Sequence, residues 1–162
     1  MTQNGSATVH QISLNPEGGV PKHAVPRATV HTGGVAGDRQ RNLKVHGGPE
    51  RAVCLFSLER IQALQAEGHP IVPGSTGENL TIAGLDWDAI VPGTKLRIGE
   101  EVELEVLSYT APCSNIADSF TARQFKRMSQ KVHPGWSRVY ARVLNEGDVR
   151  AGDVVRVMAA AS

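Results

Sequence analysis

Glycine and proline punctuate this chain along its whole length, and that punctuation constrains the fold more than any other feature. Seventeen glycines and nine prolines interrupt 162 residues. They cut the sequence into short pieces joined by turns, the pattern of a closed or rolled β structure. Strands are expected over residues 7–13, 28–31, 52–57, 78–82, 95–98, 101–107, 136–144 and 153–157. The clearest is Glu101-Val102-Glu103-Leu104-Glu105-Val106. Its strict alternation sends valine and leucine to one face and three glutamates to the other. Arg138-Val139-Tyr140-Ala141-Arg142-Val143 alternates almost as well, and Asn145-Glu146-Gly147-Asp148 after it has the composition of a tight turn.

Two helices are expected between the strands. Residues 58–67 follow Ser57 as N-cap, carry Leu58, Ile61 and Leu64 on one face, and meet Gly68 as a left-handed stop. A second helix is expected from Thr121, where Thr121-Ala122-Arg123-Gln124 fits a capping box. Ala122, Phe125 and Met128 make its apolar face, and Arg123, Lys126 and Arg127 share another. The total is a mainly β domain, barrel-like, with two or three short helices. The whole chain, residues 1–162, reads as one domain with its core over about 8–158.

Composition narrows the function classes. A formal charge of +1 and 4% aromatic residues argue against a nucleic-acid binder, which needs a basic face or stacking rings. No apolar run approaches the roughly 20 residues that span a bilayer, and the first residues lack the basic and apolar regions of a secretory signal. A cytoplasmic location is therefore expected, with Cys54 and Cys113 both reduced. Two cysteines do not make a structural zinc site, and no metal-ligand cluster is expected.

The residue placed best for chemistry is Cys113, in Ser108-Tyr109-Thr110-Ala111-Pro112-Cys113-Ser114-Asn115. It follows an alternating strand and a proline, where a rigid scaffold gives way to a loop. Cys54 lies instead in the continuous apolar run Ala52-Val53-Cys54-Leu55-Phe56, which reads as core. His46 sits in the turn His46-Gly47-Gly48-Pro49. Such a loop exposes backbone amides and can bring an imidazole beside a thiol, where it shuttles a proton. A loop-bonded histidine is the equal alternative. A second glycine-rich loop, Gly33 to Gln40, matches neither a phosphate-binding Walker loop nor a dinucleotide fingerprint. Glu78, in Gly77-Glu78-Asn79-Leu80, reads as a structural carboxylate pinning two loops.

Taken in order, these pieces resemble the MOSC domain, the module at the C-terminus of molybdenum cofactor sulfurases. The stretches that carry the resemblance are Gly34 to Gln40, His46 to Val53, Gly77 to Thr81 with Gly84-Leu85, Gly93 to Gly99, Pro112-Cys113, Gly135-Trp136 and Gly152-Asp153. The chain looks like a stand-alone bacterial member. The resemblance implies a β-rich barrel-like fold and a Pro-Cys cysteine that carries sulfur or contacts a molybdenum-pterin cofactor (molybdopterin). It also implies action on N-hydroxylated compounds, as in related amidoxime reductases. Cys113 then takes the reactive thiol's place and His46 the histidine-glycine loop's. The two loops and their neighbours supply the expected cofactor-binding residues: Gly37, Asp38, Arg39, Gly47, Gly48, Arg51 and Asn79. Some stand-alone relatives place a histidine after the cysteine of the Cys54 strand, but Leu55 stands here. Pyridoxal phosphate belongs to the sulfurase's separate aminotransferase-like part. The expected partners are a small-molecule substrate or pterin and an electron or sulfur donor protein. The alternative is a binding module that holds a pterin or other anionic ligand and does no chemistry. An anion is expected between the two glycine loops, with Arg39 as its leading contact.

Overall fold

The computed structural model describes residues 6–39 and 49–158. Eleven strands occupy Ala7–Leu14 (β1), His23–Val25 (β2), Arg27–His31 (β3), Gly34–Val35 (β4), Val53–Ser57 (β5), Leu80–Ala83 (β6), Lys95–Ile98 (β7), Val102–Tyr109 (β8), Val139–Asn145 (β9), Gly147–Arg150 (β10) and Val154–Val157 (β11). One α-helix, α1, spans Leu58–Ala66, and short 3-10 turns fill several loops. In the main sheet the order is β11-β7-β8-β9-β5-β6-β1-β2, and β11 also pairs with β1. That extra pairing closes seven strands into a barrel, with β2 attached outside the ring. Closure leaves the ring without free edges. A small second sheet, β10-β3-β4, lies beside it.

Alternation builds the barrel interior. Along β8, Val102, Leu104 and Val106 are fully buried while Glu103 and Glu105 stay half-exposed. Phe56 at the end of β5 packs edge-on against Trp87 with centroids 6.0 Å apart. Helix α1 follows the sequence expectation. Ser57 Oγ accepts from the Arg60 amide at 3.1 Å, Ile61 and Leu64 are buried, and Gly68 ends the turn at φ +100°. No helix among the described residues is long and apolar enough to cross a membrane.

Three expectations need correction. The segment after Thr121 is no α-helix but two 3-10 turns, Thr121–Arg123 and Phe125–Met128. Ala122 and Arg123 take left-handed φ values of 53° and 57°, which breaks any continuous helix. Tertiary partners overrode the capping box: Thr121 Oγ1 donates to the Gly68 carbonyl, and the Thr121 amide donates to His69 Nδ1. The tight turn expected at Asn145–Asp148 is instead a handover between sheets, because β10 begins at Gly147 and pairs with β3, not with β9. Strands β2 and β4 were not expected; at three and two residues they are too short to show a period.

Candidate functional site

The two faces of β5 have different fates. Val53 and Leu55 join the barrel core, whereas Cys54 points to the other side of the wall with its register partner Tyr140 on β9. Outside the wall, the loops around residues 19–22, 39, 76–77 and 110–116 enclose an open cleft. Cys54, Tyr140 and Arg138 line it from the barrel wall. Cys113 lines it from the loop beyond β8 and is solvent-exposed. The cleft therefore holds both cysteines.

Cys54 is buried, as the apolar run predicted, but it belongs to this cleft's wall and not to the apolar core. Its Sγ lies 3.8 Å from Thr110 Oγ1. Burial pushes its thiol pKa up, against the pull of Arg138 and Lys22. Cys54 is thus a neutral thiol at neutral pH, and alkylating reagents should meet it only after Cys113. Burial also pushes the Tyr140 hydroxyl up to about 12 from an ordinary 10. Arg51 lies 5.5 Å from the centre of the Tyr140 ring.

These raised values carry a pH consequence. A group held neutral in the fold stabilises it fully below the unfolded pKa, and that stability is lost as pH rises through the folded value. Tyr140 should therefore cost the fold on the order of 2 kcal/mol between about pH 10 and 12. Denaturant melts at pH 9 and 12 should show the wild type losing about this much more than Tyr140→Phe. Equal losses would place the hydroxyl in solvent.

The cations divide into three situations. Lys22 Nζ is bound to Asp38 Oδ2 at 2.6 Å, with both side chains buried. Arg39 is exposed at the cleft. Arg138 is 5% exposed; its Nη1 donates to the Thr76 carbonyl, and its Nε has no hydrogen-bond partner in the protein.

The residues singled out in the sequence scatter accordingly. Asp38 is spent on Lys22, on the Asn15 amide at 2.9 Å and on Asn79 Nδ2 at 2.9 Å. Asn79 also accepts from the Cys54 amide at 3.0 Å and donates to the Ser13 carbonyl at 3.3 Å. Both act as braces behind the cleft; neither lines it. Gly37 sits in a turn at φ +85° against Leu14. Glu78 is the predicted pin: its carboxylate accepts from the Gly74 amide and from the Thr76 and Thr81 hydroxyls. His46, Gly47 and Gly48 lie outside the described residues. Arg123, Lys126 and Arg127 do not line the cleft. Arg127 binds Glu67 and stacks 4.0 Å from the Trp136 ring centre, and Arg123 reaches Asp118. Sequence reasoning missed Lys22, Thr110, Arg138 and Tyr140. The alternation into β9 puts Arg138 and Tyr140 on the face opposite Val139 and Ala141, but it does not say that loops cover that face.

Among the described residues no cluster of three histidine, cysteine or acidic side chains could hold a metal by itself. The cleft does suit a ligand that brings its own anionic groups, with an exposed sulfur at one side and cations at the others.

Comparison with known proteins adds the family. The MOSC domain model matches residues 42–156. The chain is 34% identical over 117 residues to the uncharacterized protein YflK of Bacillus subtilis, covering 72% of this chain and 52% of YflK. It is 30% identical over 108 residues to protein YiiM of Escherichia coli, covering 64% and 48%. A protein of Gibberella moniliformis described as a reductase is 30% identical over 130 residues, covering 77% of this chain but 22% of its own length. The chain thus spans about half the length, or less, of these relatives. Among solved structures, YiiM of Geobacillus stearothermophilus superposes with a TM-score of 0.71 at 22% identity, covering 94% of this chain and 75% of its own. The YUAD protein of Bacillus subtilis gives 0.73 at 17% identity, covering 97% and 98%. At these identities the likeness is one of fold.

Proposed function

The chain belongs to the MOSC domain family, and from that premise we propose that its cleft is the active site of a cysteine-dependent, molybdenum-cofactor-linked enzyme acting on N-hydroxylated compounds. The observation that carries this reading is the position of Cys113, an exposed thiol on the rim of a cleft whose inner wall holds a buried guanidinium. The donor set fits the cofactor: the Cys113 thiol can supply a sulfur ligand, and Arg39 and Arg138 suit the anionic end of a pterin. When bound, the cofactor supplies two-electron redox chemistry.

The chain's own residues do the remaining work. Cys113 presents its sulfur toward the ligand from a loop anchored to β8. Arg138 and Arg39 hold negative charge, and Tyr140 stays protonated as a hydrogen-bond donor at neutral pH. The overall conversion takes an N–OH compound, two electrons and two protons to the N–H compound and water. The electrons come from an external two-electron reductant, a donor protein or dithiol, because the sequence has no nicotinamide or flavin fingerprint. A reducing cytoplasm is part of this reading, since it keeps both thiols free. A relative described as a reductase supports it.

The test is reduction of an aromatic amidoxime by cofactor-loaded protein with a chemical electron donor, read as amidine formed. No amidine above the protein-free rate would sink the reductase reading. Mass spectrometry of the protein from a sulfur-replete host decides the sulfur-carrier version: it requires a persulfide, 32 Da heavier, on Cys113. Unimpaired ligand binding with no turnover at all would leave a non-catalytic binding module. In the same assay His46→Gln is expected to lower turnover by about 10²–10⁴-fold with the fold intact, the usual worth of general acid–base help. Unchanged turnover would make His46 a loop residue.

A further inference from the structure

The chain's near-neutral total hides a segregation of charge. Residues 119–145 carry six of its 17 lysines and arginines and none of its 16 aspartates and glutamates. The remainder is therefore net acidic, with Glu100, Glu101, Glu103 and Glu105 gathered along and just before β8. Within the basic stretch, Arg123, Lys126, Arg127 and His133 line one open depression together with Phe125. None of these residues lines the cleft.

The depression is held still. Thr121 Oγ1 donates to the Gly68 carbonyl at 2.7 Å, and the Thr121 amide donates to His69 Nδ1 at 3.1 Å. Arg127 lies 4.0 Å from the centre of the Trp136 ring, and Arg60 lies 4.8 Å from the same centre. Its positive charge is only partly answered. Glu67 pairs with Arg127, and Asp118 lies 3.4 Å from Arg123 with both side chains in solvent. Such an exposed pair is worth roughly 0–1 kcal/mol, so a partner's carboxylate can take Asp118's place. Lys126 is exposed and has no ion pair among the described residues. Position gives this surface a use. The 3-10 turn Ser114–Ser119 starts immediately after Cys113 and lies against both turns of the basic segment. At about 2 Å per residue it sets the basic surface roughly 12 Å from the exposed thiol.

We propose that residues 121–133 form the docking face for an acidic electron-donor protein, which delivers its reducing equivalents at the neighbouring cleft. This rests on the reductase reading above, whose electrons come from outside the chain, and deepens it by fixing where the donor sits and what charge it carries. A fully reduced flavin protein satisfies the balance. Oxidation of its hydroquinone to the quinone releases the two electrons and two protons that conversion of N–OH to N–H and water takes up. Opposite charge draws such a partner in and speeds association. RNA fits the surface less well, because Arg127 is already held by Glu67 and the rings of Phe125 and Trp136 are half-buried.

The test is the association rate of the full chain with an acidic flavodoxin, used in its oxidised form as the probe. For the wild type this rate should fall at least about tenfold between low salt and about 300 mM, because steering by charge is screened. The double variant Arg123→Glu, Lys126→Glu should associate at least about tenfold more slowly at low salt and lose the salt dependence. Its melting temperature should not change, since both side chains are exposed. If the double variant does not fold, Lys126→Glu alone should slow association severalfold. The matched reversal Arg156→Glu lies on β11, across the ring from β5, and should keep the wild-type rate. In cofactor-loaded protein, amidoxime turnover with a small chemical donor should be untouched by the double variant, whereas turnover driven by reduced flavodoxin should fall with the association rate. Binding through this face without turnover by any donor would retire the reductase reading while the docking face stands. A wild type that does not bind the flavodoxin, an Arg156→Glu protein that loses as much as Lys126→Glu, or a single-stranded RNA oligonucleotide held more tightly at the same residues would overturn the proposal.

Discussion

Cys113→Ser is expected to bring turnover of an N-hydroxylated substrate to background, whereas Cys54→Ser should keep at least about a tenth of it. The asymmetry follows from the wall between them. Cys113 is exposed, with extended backbone at φ −142° and ψ 177°, and the loop after it turns back through the Cys113 carbonyl, which accepts from the Ile116 amide at 3.1 Å. Its thiol is presented without being packed. Cys54 is held between the backbone of β5 and the Thr110 hydroxyl, and burial keeps it protonated. A thiolate is the nucleophile and the metal ligand, so only the exposed cysteine is available. Serine keeps the size but replaces the thiol with a hydroxyl that is not ionised at neutral pH, so the thiolate is lost. Limited alkylation of the native protein gives a parallel readout, with label on Cys113 first. Equal labelling, or a Cys113→Ser enzyme that still turns over, would remove the thiol from the mechanism.

Glu78→Ala is expected to destabilise the fold by about 3–5 kcal/mol. Its carboxylate is fully buried and satisfies three donors, the Gly74 amide at 3.1 Å, the Thr76 hydroxyl at 2.9 Å and the Thr81 hydroxyl at 3.0 Å. Each donor left unsatisfied costs about 1–3 kcal/mol. The loop it organises has no slack. A Cβ on Gly74 would lie 2.6 Å from the Lys22 carbonyl oxygen, and Gly74 sits at φ +85°, so the chain cannot simply shift. Thr76 links this pin to the cleft, because its carbonyl holds Arg138. Glu78→Gln, which keeps the shape, should cost less. Chemical denaturation of the three proteins checks the order. A loss below 1 kcal/mol for Glu78→Ala would mean that the loop is held by other contacts.

The barrel was legible in the sequence wherever one face of a strand is buried. The valine–glutamate alternation of β8 and the apolar run of β5 were both read correctly as strands. Helix α1 was legible because its cap, its apolar spacing and its glycine stop are all local. The segment from Thr121 was misread for the opposite reason: its outcome hangs on Gly68 and His69, some fifty residues away. The site was half legible. Pro112-Cys113 could be picked out as a thiol at a strand end. Arg138 could not, because nothing local reveals that loops from residues 19–22 and 76–77 fold over the outer face of β9. Asp38 and Asn79 show the converse error, since polar residues in glycine loops served the scaffold and not the cleft.

The placement of the cleft on the outer side of the wall has a consequence for how such a protein can change. Successive residues of β5 face different surroundings, Val53 and Leu55 the packing inside the ring and Cys54 the cleft. At the start of β9 the same division separates Val139 and Ala141 from Tyr140 and from Arg138, the residue just before the strand. Drift at the outward positions can retune what is bound while the ring persists, much as a lock can be rekeyed without rebuilding the door. If the cleft is the site proposed above, the outward residues, every second one along each strand, are where substitution would alter it while the inward ones keep the ring.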